Sequence, residues 1–468
     1  MDKKTTIESL VREANERGAF NGAWLYAEKG EIVSKGAVGW CDLADTVPLR
    51  EDCVFDLASV SKQFTAAAVM LLRRAGLLSL DDEITKFYPE LPYPGVTLRH
   101  LLNHTGGLPD YMDWVDETAK AEHTIPRNDV IVRFLRDCGE EPVFAPGEQW
   151  EYSNTGYCLL AQIVEKVAGV PFEDFLRDNI FEPAGMHATR IYHRRMDALT
   201  IPNLAWGLSL PLGADRYALP DDLETESAAV TCDGANGDGL VHSNILDLFQ
   251  WDRALRAETV LTKEEQTLMA TPGKLNSGEF GIDRAEDTNI DYRYGFGWDV
   301  LDDPALGRIV CHSGGWPGYS AWYERHVDAD RVLILLRCRD VRDERAWKSF
   351  FRSMEAVARD GAPEPIRGIE ELAVKDPDRS DWDAIVGKYE YKIGDFRIGE
   401  IFQKDGALYA KASDPSRSFA LRMYPLGENS FGIKDLDADL SFDENGLTLY
   451  GQTGRKLSDD QTQEGDAQ

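Results

Sequence analysis

The sequence predicts an α+β protein: an antiparallel sheet flanked by helices, an all-helical subdomain, and then a small β-barrel domain. Three observations predict it. Strand-like runs at 23–27 and 31–38 surround a turn at Lys29-Gly30, and strand signals return only at 292–338, so distant parts of the chain share one sheet. Between them, from about 80 to 270, helical patterns alternate with loops rich in Pro, Gly, Asn and Asp. Beyond Ala384, short period-2 runs are broken by turns such as Asp405-Gly406 and Asn445-Gly446, the spacing of a small all-β unit.

The elements follow in order. Residues 5–17 read as an amphipathic helix, with Ile7, Leu10, Val11 and Ala14 on one face. The hairpin 23–38 comes next. Residues 59–75 form a helix that is apolar nearly all round, hence buried, and Gly76 ends it. Strands are expected at 292–300, 308–312, 318–326 and 331–338, and a helix at 343–359 closes this part. Gly361, Pro363, Pro365, Gly368 and Pro377 among many charges mark 361–380 as a linker. The expected organisation is a main domain over 1–360, the linker 361–380, a barrel domain over 381–456, and a polar, disordered tail over 457–468.

Composition narrows the function. With 468 residues the chain is about three times the ~150-residue domain prior, enough for a sizeable core. It carries 51 basic against 82 acidic residues, a net charge of -31, which repels nucleic acid and anionic membranes. Such acidity suits a salt-rich habitat or simply good solubility. No run of ~20 apolar residues is present and the first residues lack a signal-peptide core, so a cytoplasmic protein without membrane contact is expected. The seven cysteines form no CxxC pair and the histidines no HExxH, which argues against a disulfide framework and against zinc; no metal and no cofactor are expected. GxSxG and a P-loop are absent from the sequence.

Three segments can carry chemistry. In the first, Ser59 and Lys62 stand three apart at the start of the buried helix, on one face of it. A serine hydroxyl becomes a nucleophile when a base takes its proton, and a buried lysine can be that base. The alternative is an N-cap serine beside a solvated lysine. In the second, Tyr152 and Asn154 lie two apart, so an extended loop points both the same way. A phenol near an ammonium can have a lowered pKa and relay protons, and Asn154 can both donate to and accept from a substrate amide. The alternative is a packed loop tyrosine and a turn asparagine. The third is Cys311-His312-Ser313-Gly314-Gly315-Trp316, where glycines allow a close ligand approach, or where a glycine-rich turn holds an incidental histidine.

SVSK at 59, YSN at 152 and HSG at 312, in that order, resemble the serine β-lactamase and penicillin-binding-protein superfamily. Within it they are most similar to the class C β-lactamase-related branch of esterases and D-amino-acid peptidases. The segments 101–108, 237–241 and 294–298 agree, and the resemblance covers about residues 10 to 355. It implies Ser59 as the acylated nucleophile, Lys62 and Tyr152 as base and proton relay, and Asn154 as substrate binder. His312, Ser313 and Gly314 then contact substrate, and the Ser59 and Gly315 amides form an oxyanion hole. The family's penicillin-cleaving members have lysine where this chain has His312, so the resemblance points to a peptidase or amidase for small, D-configured substrates. The alternatives are a carboxylesterase, a β-lactamase or DD-carboxypeptidase, and a catalytically silent binding module. His312 is expected to ionise near 6.5 and to attract carboxylates only below that pH. His104 is read as structural. The C-terminal unit loosely resembles a lipocalin-like barrel that limits access or supports a homo-oligomer. The implied partner is a small-molecule or short-peptide substrate.

Overall fold

The computed structural model describes residues 2–285, 290–375, 377, 379, 382–415, 417–436, 438–444 and 446–457. Residues 458–468 of the segment read as a tail, and Asn445 of the second barrel turn, lie outside the described residues. The chain forms two compact units. One comprises Met1–Lys4, Asn21–Leu208 and Leu219–Asp340; the other comprises Thr5–Phe20, Ser209–Ala218 and Val341–Gln468.

In the first unit the strands are β1 (Gly22–Glu28), β2 (Glu31–Val38), β3 (Phe55–Asp56), β4 (Arg190–Ile191), β5 (Val241–Ser243), β6 (Ile282–Ala285), β7 (Ile290–Tyr294), β8 (Asp299–Asp303), β9 (Gly307–Trp316), β10 (Tyr319–His326) and β11 (Arg331–Arg337). Eight of them make one sheet in the order β2-β1-β11-β10-β9-β8-β7-β6; β3, β5 and β4 make a small second one. Lys29 and Gly30 both have positive φ, as a two-residue turn between twisted strands requires. β1 lies antiparallel beside β11, Gly22 opposite Arg337, so the first hairpin and the late strands share one sheet. Two expectations are corrected. The run 292–300 splits into β7 and β8, because Gly297 turns the chain with φ 71°. β9 does not stop at 312 but runs on to Trp316, with Gly315 opposite Ser320 of β10, so the glycine-rich motif is itself strand.

The helix Lys62–Arg74 sits in the core because its sequence leaves it nowhere else to go. Ala66, Ala67 and Ala68 favour helix, every residue from Lys62 to Met70 is buried, and Arg73 and Arg74 suit the negative end of its dipole. Phe64 meets Phe181 edge-on at 5.3 Å and Trp251 at 5.2 Å. Truncating it to alanine would cost about 3–5 kcal/mol. The helices Leu98–Leu102, Met112–Glu122, Val130–Asp137, Asn154–Ala168 and Phe172–Leu176 form the helical part, and Leu101, Val115, Phe134, Leu160 and Phe175 join Phe64 in one core.

The second unit contains a closed eight-stranded barrel: β12 (Gly387–Ile393), β13 (Phe396–Lys404), β14 (Ala407–Ser413), β15 (Ser418–Pro425), β16 (Ser430–Ile433), β17 (Asp439–Asp443), β18 (Gly446–Leu449) and β19 (Gln452–Lys456). Alternate residues such as Tyr389, Tyr391, Ile398, Leu421 and Phe442 point inward and fill it. The Pro- and Gly-rich segment after 360 lies along the helix Glu344–Ala358: Ser353 Oγ donates to Glu364 O at 2.9 Å, and the Arg367 N–H donates to Ser349 Oγ at 2.9 Å.

Candidate active site

Ser59 stands in a single 3₁₀ turn, Ala58–Ser61, that leads directly into the α-helix Lys62–Arg74. The sequence suggests one continuous α-helix from 59. The tighter turn nearly eclipses residues three apart, which brings Lys62 Nζ within 3.1 Å of Ser59 Oγ. Ala58 has φ 45°, a conformation unfavourable for a residue with a β-carbon. Asp56 holds it there: its buried Oδ1 accepts the Ala58 N–H at 2.8 Å.

Lys62 is fully buried. Its ammonium donates to Ser59 Oγ, to Asn154 Oδ1 at 2.8 Å and to the Asp238 carbonyl at 2.9 Å. Burial pushes its pKa down to about 8, against the opposing charge of Asp238. The partner set decides what the neutral amine does. Amide and carbonyl oxygens only accept, so they take its two N–H groups, and the lone pair falls toward Ser59 Oγ, which can give up a proton. The segment 237–241 is tied to this helix and to the turn before it: Thr65 Oγ1 donates to Gly237 O at 2.6 Å, and Ser61 Oγ accepts the Val241 N–H at 3.1 Å. Gly237 has φ 103°, and a Cβ there would stand 2.5 Å from Tyr157 O, so the close approach needs glycine.

Tyr152 and Asn154 do not share an extended loop. Ser153 is the extended N-cap of the helix Asn154–Ala168, accepting the Gly156 N–H, and Asn154 is its first residue. Lys62 Nζ lies 4.7 Å from the Tyr152 ring centroid, over the ring rather than beside its hydroxyl. The Tyr152 hydroxyl is buried, and Ser59 is the side chain that bears on it as a hydrogen-bonding neighbour. Desolvation pushes the phenol well above its ordinary value, with Ser59 opposing. The expected lowering is therefore reversed, and Tyr152 keeps its proton. His104 sits beneath this segment. Its Nδ1 accepts the Ser153 N–H at 3.1 Å, its carbonyl accepts the Glu151 N–H at 3.0 Å, and its ring packs at a tilt against Tyr152 and Tyr294, each at 4.4 Å. Burial keeps His104 neutral, well below 6.5.

β9 carries the third segment. His312 is 2% exposed. Its Nδ1 lies 2.6 Å from the Ser313 carbonyl, which only accepts, so Nδ1 carries the proton and Nε2 accepts from the Tyr294 hydroxyl at 2.8 Å. Burial, then the nearby Lys62, push its pKa down to about 3. The expected ionisation near 6.5 is thus overturned: desolvation disfavours the imidazolium and both nitrogens are engaged. Ser313 is exposed, opposite Trp322. Gly314 is where β9 presses on the nucleophile turn; a Cβ there would stand 2.2 Å from Leu57 O and 3.3 Å from Ser59 N. Gly315 faces open space and, with Trp316, lines a pocket.

That pocket brings Ser59, Asn154 and Gly315 together with Asp56, Tyr111 and Asp238. Tyr152, His312, Ser313 and Gly314 stand behind or beside its wall rather than on it. Its wall carries two carboxylates, and one oxygen of Asp238 accepts the Tyr111 hydroxyl at 3.0 Å. The motifs left Asp56, Tyr111 and Tyr294 without roles. Asp56, two residues before Ala58, had a local signal as an Asx-type cap; Tyr111 and Tyr294 come from remote segments and had none.

A family model described as Beta-lactamase matches residues 7–346. The chain belongs to the beta-lactamase family. Among curated relatives, Penicillin-binding protein 4* of Bacillus subtilis (strain 168) is 37% identical over 443 residues, 94% of each chain. Esterase EstB of Burkholderia gladioli is 27% identical over 351 residues, 68% of this chain and 86% of its own. Among solved structures, D-amino acid amidase from Ochrobactrum anthropi SV3, complexed with L-phenylalanine amide, matches with TM-score 0.57 and 26% identity, over 72% of this chain and 91% of the other. Membership makes the chain a serine hydrolase of the beta-lactamase and penicillin-binding-protein type.

Proposed function

We propose that the chain is a D-amino-acid-type amidase or peptidase that cleaves small substrates with a free amino group through an acyl-enzyme on Ser59. One observation carries the reading: a fully buried Lys62, held near pKa 8, has two acceptor-only partners and turns its remaining valence toward Ser59. Ser59 Oγ bonds to the substrate carbonyl carbon while Lys62 takes its proton. The oxyanion is held by the Ser59 and Gly315 backbone N–H groups, worth about 3 kcal/mol each. Tyr152, protonated at working pH, passes its proton to the leaving amine and regains one from the Lys62 ammonium; Lys62, neutral again, deprotonates the water that releases the acid and returns that proton to Ser59 Oγ. Asn154 turns its oxygen to Lys62 and offers its NH₂ to the substrate carbonyl. Residues 312–316 of β9 extend past the last β8 pair, at Cys311, so His312, Ser313 and Gly314 offer backbone to an extended substrate.

The substrate class follows from charge. His312 stays neutral, so it does not replace a permanent cation for a substrate carboxylate. The pocket wall instead carries Asp56 and Asp238, in a chain of net charge -31, which favours a cationic amine. The D-amino acid amidase similarity supports the same class. A carboxylesterase is the second reading, favoured by the similarity to EstB. The test is turnover of D- and L-phenylalanine amide, N-acetyl-D-phenylalanine amide, p-nitrophenyl butyrate and benzylpenicillin, with Ser59→Ala as control. Expected is D-amide turnover at least about tenfold faster than the N-acetylated analogue. Turnover of the butyrate ester alone establishes the esterase, and faster penicillin acylation overturns the substrate class.

A further inference from the structure

The seven cysteines show no pairing motif in the sequence, and all carry free thiols. Folding nevertheless sets two of them side by side: Cys41 Sγ and Cys53 Sγ are 3.3 Å apart and buried. A disulfide needs about 2.05 Å, so the sulfurs close by roughly 1.2 Å, a side-chain adjustment. Their backbones are held on both sides. The Cys41 N–H donates to Val47 O at 2.8 Å and its carbonyl accepts the Trp206 N–H at 2.9 Å; the Cys53 N–H donates to Arg50 O at 3.0 Å. The loop 43–48 between them is exposed, and its Pro48 carbonyl lies 3.6 Å from Cys41 Sγ.

We propose that Cys41 and Cys53 are a redox pair that closes to a disulfide on exposure to a hydroperoxide, with Cys53 attacking and Cys41 resolving. The surroundings set the two roles apart. Cys53 Sγ accepts the Arg50 N–H at 3.3 Å and touches Cys41 Sγ in a contact where either sulfur can donate; that contact above all lowers the Cys53 thiol from its ordinary value, while it drives Cys41 up. Cys338 is the third sulfur nearby, but it accepts the Asn21 side-chain N–H at 3.2 Å and burial pushes it up to about 12. In the first step Cys53 S⁻ bonds to one peroxide oxygen, the O–O bond breaks, and the leaving hydroxide takes a proton to become water. In the second, Cys41 sulfur bonds to Cys53 sulfur, the S–O bond breaks, and hydroxide leaves with the Cys41 proton as a second water. Two thiols are oxidised, one peroxide is reduced, and a dithiol reductant reverses the change. Cys53 stands two residues before the strand Phe55–Asp56 that leads to Ser59, so the bond staples that approach to the loop.

The experiment uses the full chain with hydrogen peroxide, denaturing alkylation by iodoacetamide, and peptide mapping. Expected are two of the seven cysteines lost to alkylation and one Cys41–Cys53-linked peptide, both reversed by dithiothreitol. In Cys41→Ser, dimedone should trap a sulfenic acid on Cys53; in Cys53→Ser, Cys41 should stay alkylatable. A first link through Cys338 or the half-exposed Cys138, accumulation of sulfinic acid on Cys53 in the wild type, or full alkylation at peroxide levels that oxidise methionine overturns the proposal. The wild-type map decides even if a variant fails to fold.

Discussion

Lys62 and His312 are both bases, both buried, and both drawn from the motifs that surround Ser59, yet burial leaves them in opposite conditions. Desolvation is the main cause in each. Lysine starts at 10.5, and the carboxylate of Asp238 resists the fall, so it stops at about 8. Histidine starts at 6.5, Lys62 itself adds to the fall, and it ends at about 3. The same physical cost therefore makes one group titratable at working pH and locks the other in a single state. The region around β9 shapes; the start of the buried helix moves protons.

Replacing Lys62 by alanine tests this contrast most severely. Acylation, read as the burst of p-nitrophenol from an activated ester, should fall by about 10³-fold or more, with the fold intact by circular dichroism. Near-normal acylation would place the base elsewhere. The pH profile comes next. Because the lysine pKa is depressed, the neutral base is scarce below 8 and dominant above it. The logarithm of kcat/KM should rise by about one unit per pH unit up to about pH 8 and level off beyond. A second limb near 6.5 that disappears in His312→Gln would show that His312 titrates and break the comparison. A smaller effect follows from Tyr294→Phe, which leaves His312 Nε2 buried without its donor at a cost of about 1–3 kcal/mol. It should lower Tm and raise KM while leaving the pH midpoint in place; a displaced midpoint would tie Tyr294 to Lys62 instead. The smallest effect is an expected constancy. KM for a carboxylate-bearing substrate should vary by less than about twofold between pH 5.5 and 7.5, because a group at about 3 does not ionise there. A steep improvement on acidification would restore a charged His312.

The approach of Lys62 to Ser59 was legible because it depends on local spacing, which a sequence states directly. The sheet was legible for a similar reason: β-branched and aromatic runs at both ends of the segment need each other. The protonation of Tyr152 and His312 was not legible. Each depends on how completely remote segments exclude water, and a motif does not record that. The extent of β9 was missed because glycines that read as a turn are needed in a strand, where Gly314 lies against Leu57 O. The Cys41–Cys53 contact was hidden by the exposed loop between them. Their spacing fits no motif, and only the shared anchoring to segments 47–50 and 203–206 brings the sulfurs together.

The barrel closes through a short seam, Tyr389 opposite Lys456 and Glu390 opposite Arg455, with Arg455 Nε also 2.7 Å from Glu390 Oε2. Its first and last strands are thus the pair that completes it. During synthesis β12 leaves the ribosome many residues before β19, and through that interval the growing sheet presents unpaired backbone at two borders. A stop codon or proteolytic cut anywhere within Gln452–Lys456 would make that interval permanent, turning a self-contained cylinder into an open sheet able to recruit strands from its neighbours.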